Sequence, residues 1–125
     1  MPFLIQKTSF FAIAALLFVI GFTSCASDQN DPESALLAFA GALAQGDCEL
    51  AMTYVHPDVV ERATEDLCGN EKRVQRMQSK LLNPYHTEVI KVEGTSAKIK
   101  LIITGEGKEK IQLEQHEGLW YVVDM

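Results

Sequence analysis

The chain changes its hydrophobic period near Asn83-Pro84, and this change restricts it to a fold in which helices precede strands. Before this point apolar residues recur at helical spacing, as do Leu36, Phe39 and Leu43, which share one helix face. After it, apolar and polar residues alternate, as they do in strands with one buried face. The pattern predicts an α+β domain whose N-terminal helices pack on one face of a curved, mostly antiparallel four-stranded sheet.

The first two helices have clear start and stop signals. Asp31 can accept hydrogen bonds from free backbone N–H groups at a helix start, and Pro32 suits the first helical position. Gly46 is expected to end this helix, and Asp47 can cap the next one. The second helix is short, because Pro57 stops it.

Two further helices are expected before the strands begin. The third is predicted from Asp58 to about Leu67. Its apolar residues are expected to be buried: Val59, Val60, Ala63 and Leu67. Asn70 can cap a fourth helix. That helix carries the apolar residues Val74, Met77 and Leu81.

Four strands are predicted from the alternating half of the chain. Glycine-containing turns separate them, which favours consecutive antiparallel hairpins. In the second strand Ile99 and Leu101 share a face, and Lys98 and Lys100 lie opposite. The expected strands cover residues 85–93, 96–104, 108–115 and 118–124.

The N-terminal segment has the composition of a secretory leader. Lys7 and the amino terminus supply positive charge, and residues 10–22 are uncharged and largely apolar. As a helix this stretch would be about 20 Å long, shorter than a hydrocarbon core of about 30 Å. The sequence Phe22-Thr23-Ser24-Cys25 that closes it resembles a bacterial lipobox. An uncleaved membrane anchor and an ordinary secretory leader remain alternatives.

The lipobox resemblance implies a division of the chain into three parts. Residues 1–24 would be a cleaved signal peptide, and residues 25–30 a tether that carries lipid on Cys25. Residues 31–125 would form one domain in the cell envelope, anchored to a membrane on its extracytoplasmic side. An aspartate after the cysteine would resemble the inner-membrane retention signal of enteric bacteria. Ala26 stands there instead, which favours the outer membrane.

Two cysteines remain if Cys25 carries lipid. Cys48 and Cys68 are 20 positions apart, and extracytoplasmic spaces allow disulfides to persist. A disulfide between them is predicted, with two buried free thiols as the alternative. No CxxC or HxxxH spacing accompanies them, so no metal site is expected.

The charge of the chain excludes one class of partner. The formal net charge is −6, and every acidic residue follows Cys25. A nucleic-acid-binding surface needs clustered basic residues to meet phosphate, so no nucleic acid is expected as a partner. The mixed charges are typical of a solvated surface.

Two segments carry a resemblance to a known superfamily. Residues 38–51 hold a helix end at Gly46-Asp47 followed at once by a second helix, and residues 118–124 hold Gly-Leu-Trp followed by alternating apolar residues. Together they resemble nuclear-transport-factor-like domains, which include ketosteroid isomerase-like and polyketide cyclase-like members. The resemblance implies a cone of helices on a strongly bent sheet, often around an apolar pocket.

The resemblance alone does not identify an activity, because this scaffold carries enzymes and binding proteins alike. Its enzymes place an acidic or histidine base inside the cone. Tyr54, His86 and Asp124 are the candidates for such a role, but none lies in a motif that matches a known catalytic position. No catalytic residue and no cofactor are therefore assigned. Trp120 is expected to anchor the core, with ligand stacking as the alternative.

The expected function is non-catalytic binding of a small apolar ligand or another envelope protein. The possible pocket residues are Tyr54, His86 and Trp120. The alternative is a small isomerase, cyclase or hydratase that uses an inward histidine or aspartate. The remaining histidines have simpler roles, since His56 precedes a proline at a helix stop and His116 lies in a hairpin that should be exposed.

Overall fold

The computed structural model describes residues 26–125, in which four α-helices precede four strands. The helices are α1 (Pro32–Ala44), α2 (Cys48–Met52), α3 (Val60–Ala63) and α4 (Glu71–Leu81). The strands are β1 (Tyr85–Glu93), β2 (Ser96–Ile103), β3 (Gly107–His116) and β4 (Leu119–Asp124). A 3₁₀ turn (Ala26–Gln29) precedes α1, and a π-helical turn (Thr64–Cys68) continues α3. The predicted signal peptide, residues 1–24, and the lipid attachment at Cys25 lie outside the described residues.

The four strands form one antiparallel sheet in the order β1-β2-β3-β4. Ile99 lies opposite Ile111 in the β2–β3 pair, and both are fully buried. Leu36 of α1 is also fully buried, so this helix covers the sheet with its predicted apolar face. The predicted α+β class, with helices on one face of a four-stranded antiparallel sheet, is confirmed.

All three predicted N-cap side chains accept the expected hydrogen bonds. Asp31 accepts from the backbone N–H of Ser34 at 3.1 Å, and Asp47 accepts from that of Leu50 at the same distance. At the start of α4, Asn70 accepts from its third following residue at 3.3 Å. Each cap satisfies a donor that a helix leaves unpaired in its first turn.

The second helix ends earlier than its proline predicts. After Met52 the backbone leaves the helix and pairs with the outer edge of β4. The N–H of His56 donates to the carbonyl of Val122 at 2.9 Å, and the N–H of Val122 donates to the carbonyl of Tyr54 at 2.8 Å. These tertiary hydrogen bonds take the place of another helical turn, and they cover the β4 edge.

The third helix differs from its prediction in both shape and burial. It is a single α-helical turn, α3, followed by the π-helical turn. Of its apolar residues only Leu67 is buried, whereas Val59, Val60 and Ala63 are half-buried. These side chains pack against the core without being enclosed by it.

The segment before α1 is not fully extended. The side-chain amide of Gln29, at the end of the 3₁₀ turn, donates to the backbone carbonyl of Trp120 at 3.1 Å. This bond joins the predicted tether to β4. Within residues 26–125, no helix combines the length and apolarity that crossing a membrane requires.

The predicted disulfide is present between Cys48 and Cys68, whose Cα atoms are 5.8 Å apart. It joins the first residue of α2 to the last residue of the π-helical turn. Both cysteines are half-buried and pack against the core. The bond therefore joins two helical segments of five residues each, which are too short to be stable by themselves.

Removing this disulfide should lower the free energy of unfolding by about 3 kcal/mol, because a closed loop of this length restricts the unfolded chain. The double variant Cys48→Ser/Cys68→Ser and the reduced wild type should show the same loss in urea denaturation monitored by circular dichroism. A reductant should leave the double variant unchanged. Equal stabilities of oxidised wild type and double variant would contradict the prediction.

Candidate ligand cavity

A cavity of about 580 Å³ lies between the α2–α4 segment and the C-terminal part of the sheet. Its volume falls within the range of about 300–1,000 Å³ that is typical of small-molecule sites. All four helices contribute, through Phe39 of α1, Met52 of α2, Ala63 of α3 and Met77 of α4. Val122 of β4 contributes from the sheet. The cavity thus lies between the helices and the sheet and is not a groove on a single element.

Ten of the fifteen lining residues are apolar, and the five charged ones come from both sides. The apolar lining residues are Phe39, Met52, Val55, Val59, Ala63, Leu67, Met77, Val122, Val123 and Met125. The charged lining residues are Arg62, Asp66 and Arg73 from the helical side and Glu109 and Asp124 from the strands. A ligand in this cavity would meet apolar side chains and charged ones together.

The charged groups do not neutralise one another. In residues 28–125 no two of the five lie within ion-pair distance. One guanidinium nitrogen of Arg73 donates instead to the backbone carbonyl of Asp66 at 3.1 Å, which joins α4 to the π-helical turn. Arg62 and Asp124 are exposed, and Glu109 is half-buried. These side chains are therefore able to contact the polar part of a ligand.

The expected pocket residues do not line this cavity. Tyr54 is half-buried and contributes its backbone carbonyl to the pairing with β4. His86 is exposed on the outer face of β1, opposite Ile102. Trp120 is buried in the core, which is the first of its two expected roles. Asp124, the third candidate for a base, is exposed and does line the cavity.

The other two histidines meet outside the cavity. The imidazole of His56 is buried, and its Nδ1 accepts from the N–H of Asp58 at 3.1 Å, which stabilises the turn at Pro57. The ring of His116 lies edge-on to it, with centroids 5.1 Å apart. His116 was expected to be exposed and is half-buried, because this contact brings its hairpin against the turn. Tyr121 completes the ring cluster at 6.0 Å from His56.

Among residues 28–125, the cavity contains no group placed as a buried general base. No histidine lines it, and its carboxylates Asp66, Glu109 and Asp124 are exposed or half-buried. Every buried side-chain nitrogen or oxygen in this part of the chain has a hydrogen-bond partner. The same residues hold no group of three potential metal ligands.

The apolar residues in and around α3 that line the cavity are predicted from the sequence to be buried in the core. Val59, Ala63 and Leu67 have the spacing of a buried helix face, and that spacing is the same whether the face meets a core or a cavity. Arg62, one position before Ala63, had no signal that distinguishes it from any surface arginine. Only the structure distinguishes a helix face in the core from one that lines a cavity, because it shows that Val59 and Ala63 stay half-buried.

Comparisons with known proteins agree with the architecture. No protein-family model matches the sequence, and no curated protein matches it significantly. Similar solved structures include a candidate NTF2-like transpeptidase from Campylobacter jejuni, with a TM-score of 0.54 and 17% identity, which covers 76% of this chain and 99% of that one. A SEC-C motif-containing protein from Rhodopseudomonas palustris has a TM-score of 0.49 and 13% identity, covering 76% and 77%. The antiparallel sheet, its helical cover and the first of these likenesses show that the chain has an NTF2-like α+β fold.

Proposed function

We propose that this chain is a membrane-anchored envelope lipoprotein whose NTF2-like domain binds a small, largely apolar ligand in the cavity. The observation that carries the binding role is the cavity itself, because its volume is that of a small-molecule site and ten of its fifteen lining residues are apolar. Burial of apolar ligand surface would supply most of the affinity. The unpaired charged groups around the lining would orient a polar end of the ligand.

Binding is favoured over catalysis by the placement of the ionisable groups. The alternative, an isomerase, cyclase or hydratase, needs an acid or histidine whose proton affinity is tuned by burial. The carboxylates that line the cavity, Asp66, Glu109 and Asp124, are exposed or half-buried instead. Their solvation supports a role in ligand orientation.

The envelope location is inferred from the sequence. The lipobox resemblance at residues 22–25 implies lipid on Cys25 and export of the rest of the chain. The disulfide between Cys48 and Cys68 supports this proposal, because disulfides are rare in the reducing cytoplasm. A lipid on Cys25 would hold the cavity close to a membrane, where apolar ligands are concentrated.

Filling the cavity should abolish ligand binding without unfolding the protein. In the variant Val59→Trp the larger side chain would occupy space that the ligand needs, since Val59 is half-buried and lines the cavity. We expect an alkyl diazirine probe to label peptides containing Met52 and Met77 in the full-length wild type. Labelling of these peptides, measured by mass spectrometry, should fall at least about tenfold in the variant, which corresponds to about 1.4 kcal/mol.

The matched control is Val74→Trp, since Val74 is likewise a half-buried valine and does not line the cavity. It should retain wild-type labelling. Thermal unfolding of both variants would show that the fold is kept. The binding role is refuted if wild-type labelling of the cavity peptides is no higher than that of peptides from the outer face of the sheet.

Lipid attachment has its own test. The intact mass of the chain purified from membranes should correspond to residues 25–125 with added acyl groups and two hydrogens fewer for the disulfide. Cys25→Ser should leave a longer, unacylated chain, because only the thiol can receive the diacylglyceryl group. Ser27→Ala, a control beyond the processing site, should be processed normally. A wild-type chain that keeps its first residues and carries no lipid would exclude the lipoprotein assignment.

A further inference from the structure

One edge of the sheet is paired with another segment of the described chain, and the other edge is open. The outer edge of β4 is covered by residues 54–56, through the backbone bonds to Val122. The outer edge of β1 ends the sheet order, and no segment within residues 26–125 pairs with it. An open edge presents unpaired backbone N–H and C=O groups, which form a template for another strand. With nine residues, β1 is long enough to serve as one.

A β-bulge in β1 places two opposite charges on the same face. Glu88 lies opposite Lys100 and Lys91 lies opposite Lys98, so the register between β1 and β2 shifts at Ile90. In a regular strand, residues three positions apart point to opposite faces. Because Ile90 is the extra residue, Glu88 and Lys91 both lie on the outer face of the sheet.

The bulge also makes β1 complementary to a second copy of itself. We propose that two copies of this chain pair antiparallel through β1, with the twofold axis at Val89. With the bulge residue left out, Glu88 and Lys91 are equally far from Val89 along the strand. The axis therefore places Glu88 opposite the partner's Lys91 and, by symmetry, Lys91 opposite the partner's Glu88. The product is one continuous antiparallel sheet.

The charges along the outer face favour this register. Within one copy Lys91 lies directly opposite Lys98, and like charges in that position destabilise a sheet. Lys91 forms an ion pair with Glu93 at 3.1 Å, but both side chains are exposed and such pairs contribute little. In the dimer the partner's Glu88 would lie on the other side of Lys91 and offset the repulsion.

The inner face supplies the apolar part of the contact. Val89 and Val92 point to the same side as buried Ile99 and Ala97, yet 45% and 52% of their surfaces are exposed. In the proposed dimer Val89 faces its own copy, and Val92 faces the partner's Thr87. Pairs of β-branched residues across strands are favourable. The most exposed apolar residues of the strand would thus lie in the centre of the interface.

Cysteine crosslinking tests this register in the full-length chain. Val89→Cys, combined with Cys25→Ser so that crosslinking depends on residue 89 whether or not Cys25 is acylated, should form a disulfide-linked dimer. The Cα atoms of opposed residues in an antiparallel pair lie about 4.5–5.5 Å apart, a separation that a disulfide can span. Thr104→Cys, with the same Cys25→Ser background and at an exposed position immediately after β2, controls for random collision. Crosslinking at residue 89 that is no greater than at residue 104 would overturn the proposal.

Charge reversal supplies a second measurement that needs no cysteine. Glu88→Lys and Lys91→Glu each create two like-charge pairs across the axis, and each should weaken dimerisation about tenfold, as a loss of about 1.4 kcal/mol would. The double reversal restores both opposite-charge pairs and should restore the dimer. Lys108→Glu, on the outer face of β3, should have no effect. Molar mass is measured by light scattering in detergent micelles.

Two results in these experiments would refute the pairing. One is a monomeric wild type at concentrations where Val89→Cys also fails to crosslink. The other is a double reversal that stays as weak as the single variants, because the register predicts recovery and any other arrangement of the two residues does not. The ligand cavity lies elsewhere, so the photolabelling of its peptides is unaffected by either outcome.

Discussion

The structure depends on the burial of the apolar face of α1 against the centre of the antiparallel sheet. Leu36 is completely buried together with Ile99 of β2 and Ile111 of β3, and these three are among the largest fully buried side chains of the core. Apolar burial of this kind provides most of the free energy that offsets chain entropy. Once α1 lies across the sheet, the shorter segments that follow must fold around it, and they do not fill all the remaining space.

The unfilled space is the ligand cavity. The α3 turn and its π-helical continuation pack against the core without being enclosed by it, so Val59 and Ala63 stay half-buried and line the cavity. The disulfide holds the end of this segment against α2. A cross-link is useful here, because a four-residue helix buries too little surface to hold its own position. The disulfide therefore helps to hold in place the segment that forms one wall of the cavity.

The two sheet edges show how similar strands acquire different roles. β4 is paired on its outer edge by the chain that leaves α2, and Trp120 and Val122 are buried there. β1 keeps an open edge with Val89 and Val92 half exposed. β4 is apolar from Leu119 to Val123, whereas β1 mixes apolar and polar residues, but neither pattern shows which segment pairs with a strand edge. Backbone pairing between residues 54–56 and β4 decides it.

The sequence by itself determined the fold class, the starts of α1, α2 and α4, and the disulfide partners. Periodicity and N-cap chemistry act within a few residues of the chain, and with Cys25 set aside two cysteines allow one pairing. Only the tertiary structure decided which apolar faces become core and which line a cavity. Spacing predicts that Val59 and Ala63 share an apolar face, but it does not show whether a core or a cavity lies opposite that face. Likewise, the residue types of Tyr54 and His86 suggest a pocket role without showing that the cavity lies elsewhere. The bulge at Ile90, which brings Glu88 and Lys91 to one side of β1, is likewise set by pairing with β2.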